Sequence, residues 1–453
     1  MNTIFSWNIR KSATIINEAN RLGIMIIPYL HGPSWNEEMK KSLKEIQPKS
    51  AILAWNIGDD LTLKHLNKVK EAYNCIRKID PNVHRPMMLD SSPKSAKKYA
   101  NFVEMYSNYT YPLLKSRPLS KYREYLINGR QRVGMEKFFW TWIQAHTQIW
   151  YSKRFFGKTH HCPSFFPDAE HLRLLTYEAI SAGVRGILYY NSRFFKESWH
   201  GKDRYAELGI LGAELEMIGP FLAEGEVDIK NMHTLMPENV AVSIVNFSKG
   251  KLIILVKEGK EYQYQPDMAI VKDLSLSFSK NEVQGKRAYS LDFPNIIELK
   301  KRKSKDTVAF ILPSMELTSM VLLTKDNELL DQIKVKMERL LPDVSKFAIE
   351  VLEGKKEKVE WVERSLKHIP QLEDVDTALK RASNLLLRAK SALQKGNYRS
   401  AYLMARMGQR ILRVLQHKRW SEAWHDPNIN RDGGLYNYYL LPRYYQIKEF
   451  LKK

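Results

Sequence analysis

The sequence predicts an α/β chain that opens as an incomplete TIM-type (β/α) barrel, continues as an antiparallel β-sandwich and closes in a helical domain. Three observations carry that prediction. Short apolar runs alternate with longer amphipathic stretches over roughly the first half of the chain. Polar and aromatic residues collect where those runs end. After Pro220 the pattern changes to short alternating runs between turn residues, and from about residue 329 it turns helical.

The barrel strands are expected at 24–30, 51–57, 85–89, 102–106, 138–144 and 186–190. Helix-like stretches separate them. One covers 9–22; another covers 63–79, where Leu66, Val69, Tyr73 and Ile76 recur at three- and four-residue steps. A third follows Pro167, with Asp168 as a possible cap and Leu172, Leu175, Ile180 and Val184 on one face. An open doubly wound sheet is the competing arrangement, but neither a Gly-x-Gly-x-x-Gly loop nor a Walker loop is present. Only six strands are legible in this reading, two fewer than a closed barrel requires.

Beyond Pro220, alternating runs at 240–245, 252–256, 269–271, 296–299, 307–311 and 320–323 predict the sandwich. Two long helical patterns then flank the break at Gly396-Asn397. The expected division is a partial barrel over 1–220, a sandwich over 221–328 and a helical domain over 329–453 with an αα-hairpin at 375–416.

A formal net charge of +22 would suit nucleic acid, but the basic residues are scattered and no nucleic-acid-binding motif gives them a target. No specific nucleic-acid partner is expected. The two cysteines, Cys75 and Cys162, have unrelated surroundings. Cys162 follows His160 and His161, yet nothing else stands at ligand spacing, so no metal is expected. The opening MNTIFSWNIRK lacks the apolar run of a signal peptide, and no stretch suits a bilayer span. The expectation is a soluble chain without membrane insertion, cytoplasmic by default.

The loops after the strands hold the candidate chemistry. The run 51–57 ends in Gly58-Asp59-Asp60, and 85–89 ends in Asp90-Ser91-Ser92. Glycosidic cleavage uses an acid and a second carboxylate across the sugar, so Asp60, Asp90 and Glu104 are the candidate catalytic set. Asp59 reads as a binding residue or as a cap for the next helix, and Glu104 could equally face the helix layer. Alternation places Trp140, Trp142 and Gln144 on one side of a strand that leads to His146. Asn108, Tyr109, Tyr111, Tyr189, Tyr190 and Asn191 offer flat faces with hydrogen-bonding edges. No nucleophile-elbow, zincin or Cys-x-x-Cys pattern occurs, which counts against esterase, metalloprotease and redox chemistry.

The segment Trp55-Asn56-Ile57-Gly58-Asp59-Asp60-Leu61, followed by Tyr73, Ile76-Arg77 and Asp80-Pro81, resembles the fourth-strand region of clan A glycoside hydrolases of the β-galactosidase-like kind. Tyr106-Ser107-Asn108-Tyr109-Thr110-Tyr111-Pro112 resembles their sixth-strand exit, and Thr176 to Tyr190 their seventh helix and eighth strand. The resemblance implies that 24–30 is the third barrel strand and 186–190 the eighth, with the first two absent from the chain as given. It implies a carbohydrate partner, no organic cofactor, Trp55 beside the sugar, and Asp60 at the acid/base position. The nucleophile position, near Gln144, holds no carboxylate. Two functions follow: hydrolysis of an oligosaccharide or polysaccharide, or carbohydrate binding by an inactive relative.

Overall fold

The computed structural model describes residues 2–6, 12–30, 36–82, 84–113, 118–146, 167–190, 201–228, 240–258, 270–366, 374–424, 438–442 and 445. It falls into two units. The first comprises Met1–Thr110, Glu124–Ile143 and Gly183–Leu188, and the second Tyr111–Arg123, Gln144–Ala182 and Tyr189–Lys453.

In the first unit, β1 (Thr3–Ser6) runs parallel to β2 (Met25–Pro28), with Phe5 opposite Ile27. Single parallel bridges, Ile26 to Ile52 and Tyr29 to Asn56, link β2 to β3 (Trp55–Asn56). Next in order lie β4 (Met87–Asp90), β5 (Met105–Ser107), β6 (Phe138–Gln144) and β7 (Gly186–Tyr190). Adjacent parallel strands in chain order make a partial TIM-type barrel, as the sequence predicts. β1 is an addition to the six strands read from the sequence. Its four residues read Thr-Ile-Phe-Ser, only two of them apolar and only Ser6 buried, so they leave too short an apolar run to detect. A strand therefore does precede 24–30.

Helices α1 (Ser12–Arg21), α2 (Glu37–Ile46), α3 (Leu66–Ile79), α4 (Ala96–Ala100) and α5 (Ser120–Val133) fall between the strands. Parallel pairing requires such crossovers. Asn36 starts α2, its Oδ1 accepting from the Met39 amide at 2.9 Å, and Glu37 and Glu38 complement the positive end. The helix then buries Met39, Leu43 and Ile46, one stripe at helical spacing. α3 buries Val69, Ala72 and Ile76 in the same manner. Each fully buried aliphatic side chain is worth about 1.5–3 kcal/mol.

Gly183 opens the turn into β7 with φ of +82°, and a Cβ there would lie 1.9 Å from Nη1 of the buried Arg130. Gly183→Ala is therefore expected to lose about 1–3 kcal/mol, through both backbone strain and displacement of Arg130. Urea unfolding of the variant measures it; an unchanged midpoint would contradict the geometry.

The second unit contains α6 (Ala169–Ser181), α7 (Lys202–Glu224) and the sandwich. One sheet has β8 (Glu226–Asp228), β9 (Val240–Phe247), β10 (Gly250–Lys257), β12 (Arg287–Ser290), β13 (Ile297–Glu298) and β16 (Thr318–Thr324), ordered β13-β12-β16-β10-β9-β8. The other is β11 (Val271–Ser279), β15 (Thr307–Met315) and β14 (Lys300–Lys303), ordered β11-β15-β14. Leu274, Leu276 and Phe278 of β11 meet Ile253, Leu255, Val321 and Leu323 in the core. β14 is an exposed edge reading Lys-Lys-Arg-Lys, a charge pattern that discourages edge-to-edge pairing.

Three helices end the described chain: α8 (Asn327–Ser365), α9 (Val375–Gln394) and α10 (Tyr398–Trp424). Gly396, at φ +72°, lets α9 stop, with the Asn397 amide donating to the Ala392 carbonyl at 2.9 Å. Among the described residues, no helix is long and apolar enough to cross a membrane.

Candidate functional site

The carboxylates meet because the chain continues alongside β4 after β3 ends. The Ile57 amide donates to the Met88 carbonyl at 2.9 Å, and the Asp90 amide to the Gly58 carbonyl at 3.2 Å. The Asn56 side chain accepts from the Gly58 amide at 2.9 Å, tightening the turn. Gly58 has no room for a side chain: a Cβ would lie 2.5 Å from Leu61 Cδ1. Asp60 then adopts φ of +51°, a left-handed conformation that aspartate tolerates better than most residues. That turn aims the Asp60 amide at Asp90, Oδ1 of which accepts it at 2.7 Å.

Asp59 is half-buried, Asp60 exposed, and Asp90 only 2% exposed. Burial, and then the facing Asp59 carboxyl, hold Asp90 well above the usual carboxylate range, against the opposing pull of the Asp60 amide. Two carboxyl groups in contact share a proton more readily than they carry two charges. The Tyr29 hydroxyl, after β2, is pushed up to about 12 by burial and by the charges of Asp59, Asp90 and Asp60. The Tyr109 hydroxyl donates to Asp60 Oδ1 at 3.0 Å.

Strand register sorts the remaining residues of this unit. Asp90 pairs with Ser107, and Ser107 with Trp140, so these three share one side of the sheet. Trp142 shares that side by alternation, and its ring meets Phe5 of β1 edge-on at 5.0 Å. β1 and β6 belong to different sheets, so side chains alone make that contact. Trp140 and Trp142 are 5.5 Å apart, both almost wholly buried. Both rings are packed against neighbouring side chains.

Three sequence expectations need correction. Asn108, one residue past Ser107, faces the other side, where its Oδ1 accepts from the Tyr125 hydroxyl of α5. Trp55 is fully buried and donates through Nε1 to Asp80, the C-cap of α3, at 2.7 Å. Glu104 precedes β5, at the amino end of the strands. Its carboxylate takes the Met87 amide at 2.7 Å and Arg77 at 3.0 Å. It is an anchor at the opposite strand end from Asp90, so the two do not form a catalytic pair.

In the second unit both polar atoms of Gln144 are engaged: Oε1 accepts from the Leu113 amide at 3.0 Å and Nε2 donates to the His146 carbonyl at 3.3 Å. His146 Nδ1 meets the Tyr190 carbonyl at 2.9 Å. Burial lowers its pKa, and the charge of Arg204 adds to that, although the Tyr190 carbonyl favours the proton. A neutral ring donating through Nδ1 keeps its lone pair on Nε2. Tyr111 meets His146 edge-on at 5.2 Å and stacks on Tyr190 at 6.0 Å. Tyr189 points instead to α6, its hydroxyl 2.9 Å from Thr176 Oγ1. Asn191, His160, His161 and Cys162 lie outside the described residues.

Sequence reasoning passed over two residues of the first unit's cluster. Tyr29 ends an apolar run and reads as its last member, and Ser107 is small and carries no motif. The one available signal for Ser107 was its place at a strand exit.

No protein-family model matches the chain, and no curated protein matches it. Among solved structures, the chain is similar to a GH27 β-L-arabinopyranosidase from Geobacillus stearothermophilus in complex with arabinose. The identity is 12%, covering 69% of this chain and 77% of that one, with a TM-score of 0.38. A GH30 endoxylanase from Clostridium papyrosolvens aligns at 11% identity over 72% of this chain and 95% of its own, TM-score 0.35. A putative α-galactosidase/melibiase from Bacteroides fragilis aligns at 11% identity, covering 72% and 79%, TM-score 0.38.

Proposed function

We propose that the chain is a glycoside hydrolase-like protein acting on an oligosaccharide or polysaccharide, with Asp60 as general acid/base and Asp59 and Asp90 as a proton-sharing pair behind it. The observation that carries this reading is the carboxylate cluster at the carboxyl ends of adjacent parallel strands, one member of which favours its proton. Breaking an acetal requires a proton on the leaving oxygen, and water or a nucleophile at the sugar carbon. Asp60 is the exposed carboxylate, already oriented by the Tyr109 hydroxyl, so it is the member that a sugar chain meets. Asp90 is enclosed and acts through Asp59. The reading calls for no metal or organic cofactor. The sandwich and the helices, over 221–328 and 329–453, serve as accessory domains.

Product release from a mixed oligosaccharide library, with intact protein, tests the assignment. Asp60→Asn is expected to lower hydrolysis by about 10²–10⁴-fold. Unchanged hydrolysis removes Asp60 from the acid role.

A second reading, carbohydrate binding without cleavage, is favoured by Gln144. Its amide replaces a carboxylate near the position where the resemblance expects the nucleophile, and both its polar atoms are engaged. Glycan-array binding with no product from any bound glycan would select this reading.

A further inference from the structure

Asp90, Ser107 and Trp140 form a row across three adjacent strands, and two of them have polar atoms with nothing to bind. Ser107 is fully buried and Trp140 is 1% exposed, yet Ser107 Oγ and Trp140 Nε1 have no hydrogen-bond partner. The second oxygen of Asp90 has only the Asp59 carboxyl beside it. Paired residues on neighbouring strands lie about 5 Å apart, so the three side chains stand in a row on one face, with Ser107 between Asp90 and Trp140. Leaving a buried donor or acceptor unmade costs about 1–3 kcal/mol each, and here two such groups stand side by side on adjacent strands beside Asp90.

We propose that this row is a hydroxyl-recognition subsite, in which Ser107 determines whether one particular hydroxyl of the ligand is required. The chemistry matches a sugar hydroxyl. Trp140 Nε1 can only donate, Ser107 Oγ donates or accepts, and an Asp90 carboxyl that keeps its proton does both. A ligand hydroxyl that accepts from Trp140 Nε1 and donates to Ser107 Oγ satisfies both unpartnered groups at once, with Asp90 beside Ser107 for a neighbouring hydroxyl. The Trp142 ring closes the apolar flank. This inference rests on the carbohydrate reading and deepens it: the ligand is neutral and polyhydroxylated, and its deoxy analogue at that position is rejected. A site built around a hydroxyl discriminates far more strongly than an apolar pocket can, because the missing group strands buried partners.

The test is thermal unfolding of intact protein with a panel of free aldohexoses and aldopentoses and their monodeoxy analogues. Wild type is expected to show a stabilising shift with at least one aldose, and to lose it with one specific deoxy analogue. Ser107→Ala is expected to bind parent and deoxy sugar within about threefold of each other, where wild type separates them by at least about tenfold. Its unliganded midpoint is expected to stay the same or rise, since the hydroxyl it removes has no partner to lose. Trp140→Phe, which keeps an aromatic side chain but replaces the indole and deletes Nε1, provides a second variant with the same expected loss of discrimination. Undiminished discrimination in both variants overturns the subsite and leaves the carbohydrate reading standing. No shift in wild type with any sugar overturns both.

Discussion

Asp168→Asn is expected to cost about 3–5 kcal/mol of stability, the largest single loss the described residues suggest. Asp168 precedes α6 and is 2% exposed. Its Oδ2 accepts from Lys355 at 2.7 Å, Tyr439 at 2.8 Å and Gln416 at 3.2 Å, and its Oδ1 from Lys358 at 3.0 Å. Lys355 and Lys358 of α8 are themselves wholly buried, and Lys358 also reaches Asp203 of α7. One carboxylate therefore ties α6, α8, α10 and the turn at Tyr438–Leu440 together. Removing its charge takes from each buried ammonium one of its two counter-ions, leaving Lys355 with Glu170 at 3.0 Å and Lys358 with Asp203, and breaking such a network costs more than the network contributes net.

The pH dependence has a definite sign. Burial alone would raise the Asp168 carboxyl, but the Lys355 and Lys358 charges outweigh it and hold it well below the usual carboxylate range. A depressed carboxyl contributes stability that is present above its unfolded value, about 3.9, and is lost as pH falls through the folded value. Wild type and Asp168→Asn should therefore differ most near neutrality and converge in acid. Urea unfolding between pH 2 and 7 measures both curves. A neutral-pH difference under about 1 kcal/mol would show that the ammonium groups find other partners.

How much of this was legible in the sequence depended on the period of each element. β11 runs Val271–Ser279, well past the 269–271 read from the sequence; its alternation, which buries Leu274, Leu276 and Phe278, is interrupted by the charged Lys272 and Asp273, so the reading stopped short. The strand order of the barrel was legible because each strand ends in a polar turn. Side-chain direction was less so. Asn108 and Ser107 are adjacent, both small and polar, and which one faces the interior depends on register with Asp90, a long-range fact. Trp55 resembles a sugar platform by type, yet its indole is taken up by Asp80, twenty-five positions away. Asp90 was legible as a carboxylate, but not as one that keeps its proton. That property comes from burial and from Asp59, which the chain brings alongside only by running on past β3.

Asp90→Asn is expected to move stability and hydrolysis in opposite directions. The environment holds Asp90 above the usual carboxylate range, so between its unfolded value and its folded value the native state binds the extra proton. Its contribution is then fully present below about pH 3.9 and is lost as pH rises through the folded value. Each tenfold preference for the proton is worth about 1.4 kcal/mol once the pH has passed both values. Asparagine copies the protonated acid. Its Oδ1 still accepts the Asp60 amide, now seen at 2.7 Å, and its Nδ2 donates towards Asp59 without a charge to bury. The variant should therefore be more stable than wild type at pH 8 and similar to it at pH 4. Asparagine cannot pass a proton to Asp59, so the proposed hydrolysis should fall by at least about a hundredfold. A site that gives up stability to keep a mobile proton behaves in this way, whereas a structural carboxylate does not. Unfolding curves at the two pH values, beside kcat/KM on any hydrolysed glycan, decide between them. A variant less stable than wild type at pH 8 would place Asp90 among ordinary ionised anchors and take the proton-sharing pair out of the mechanism.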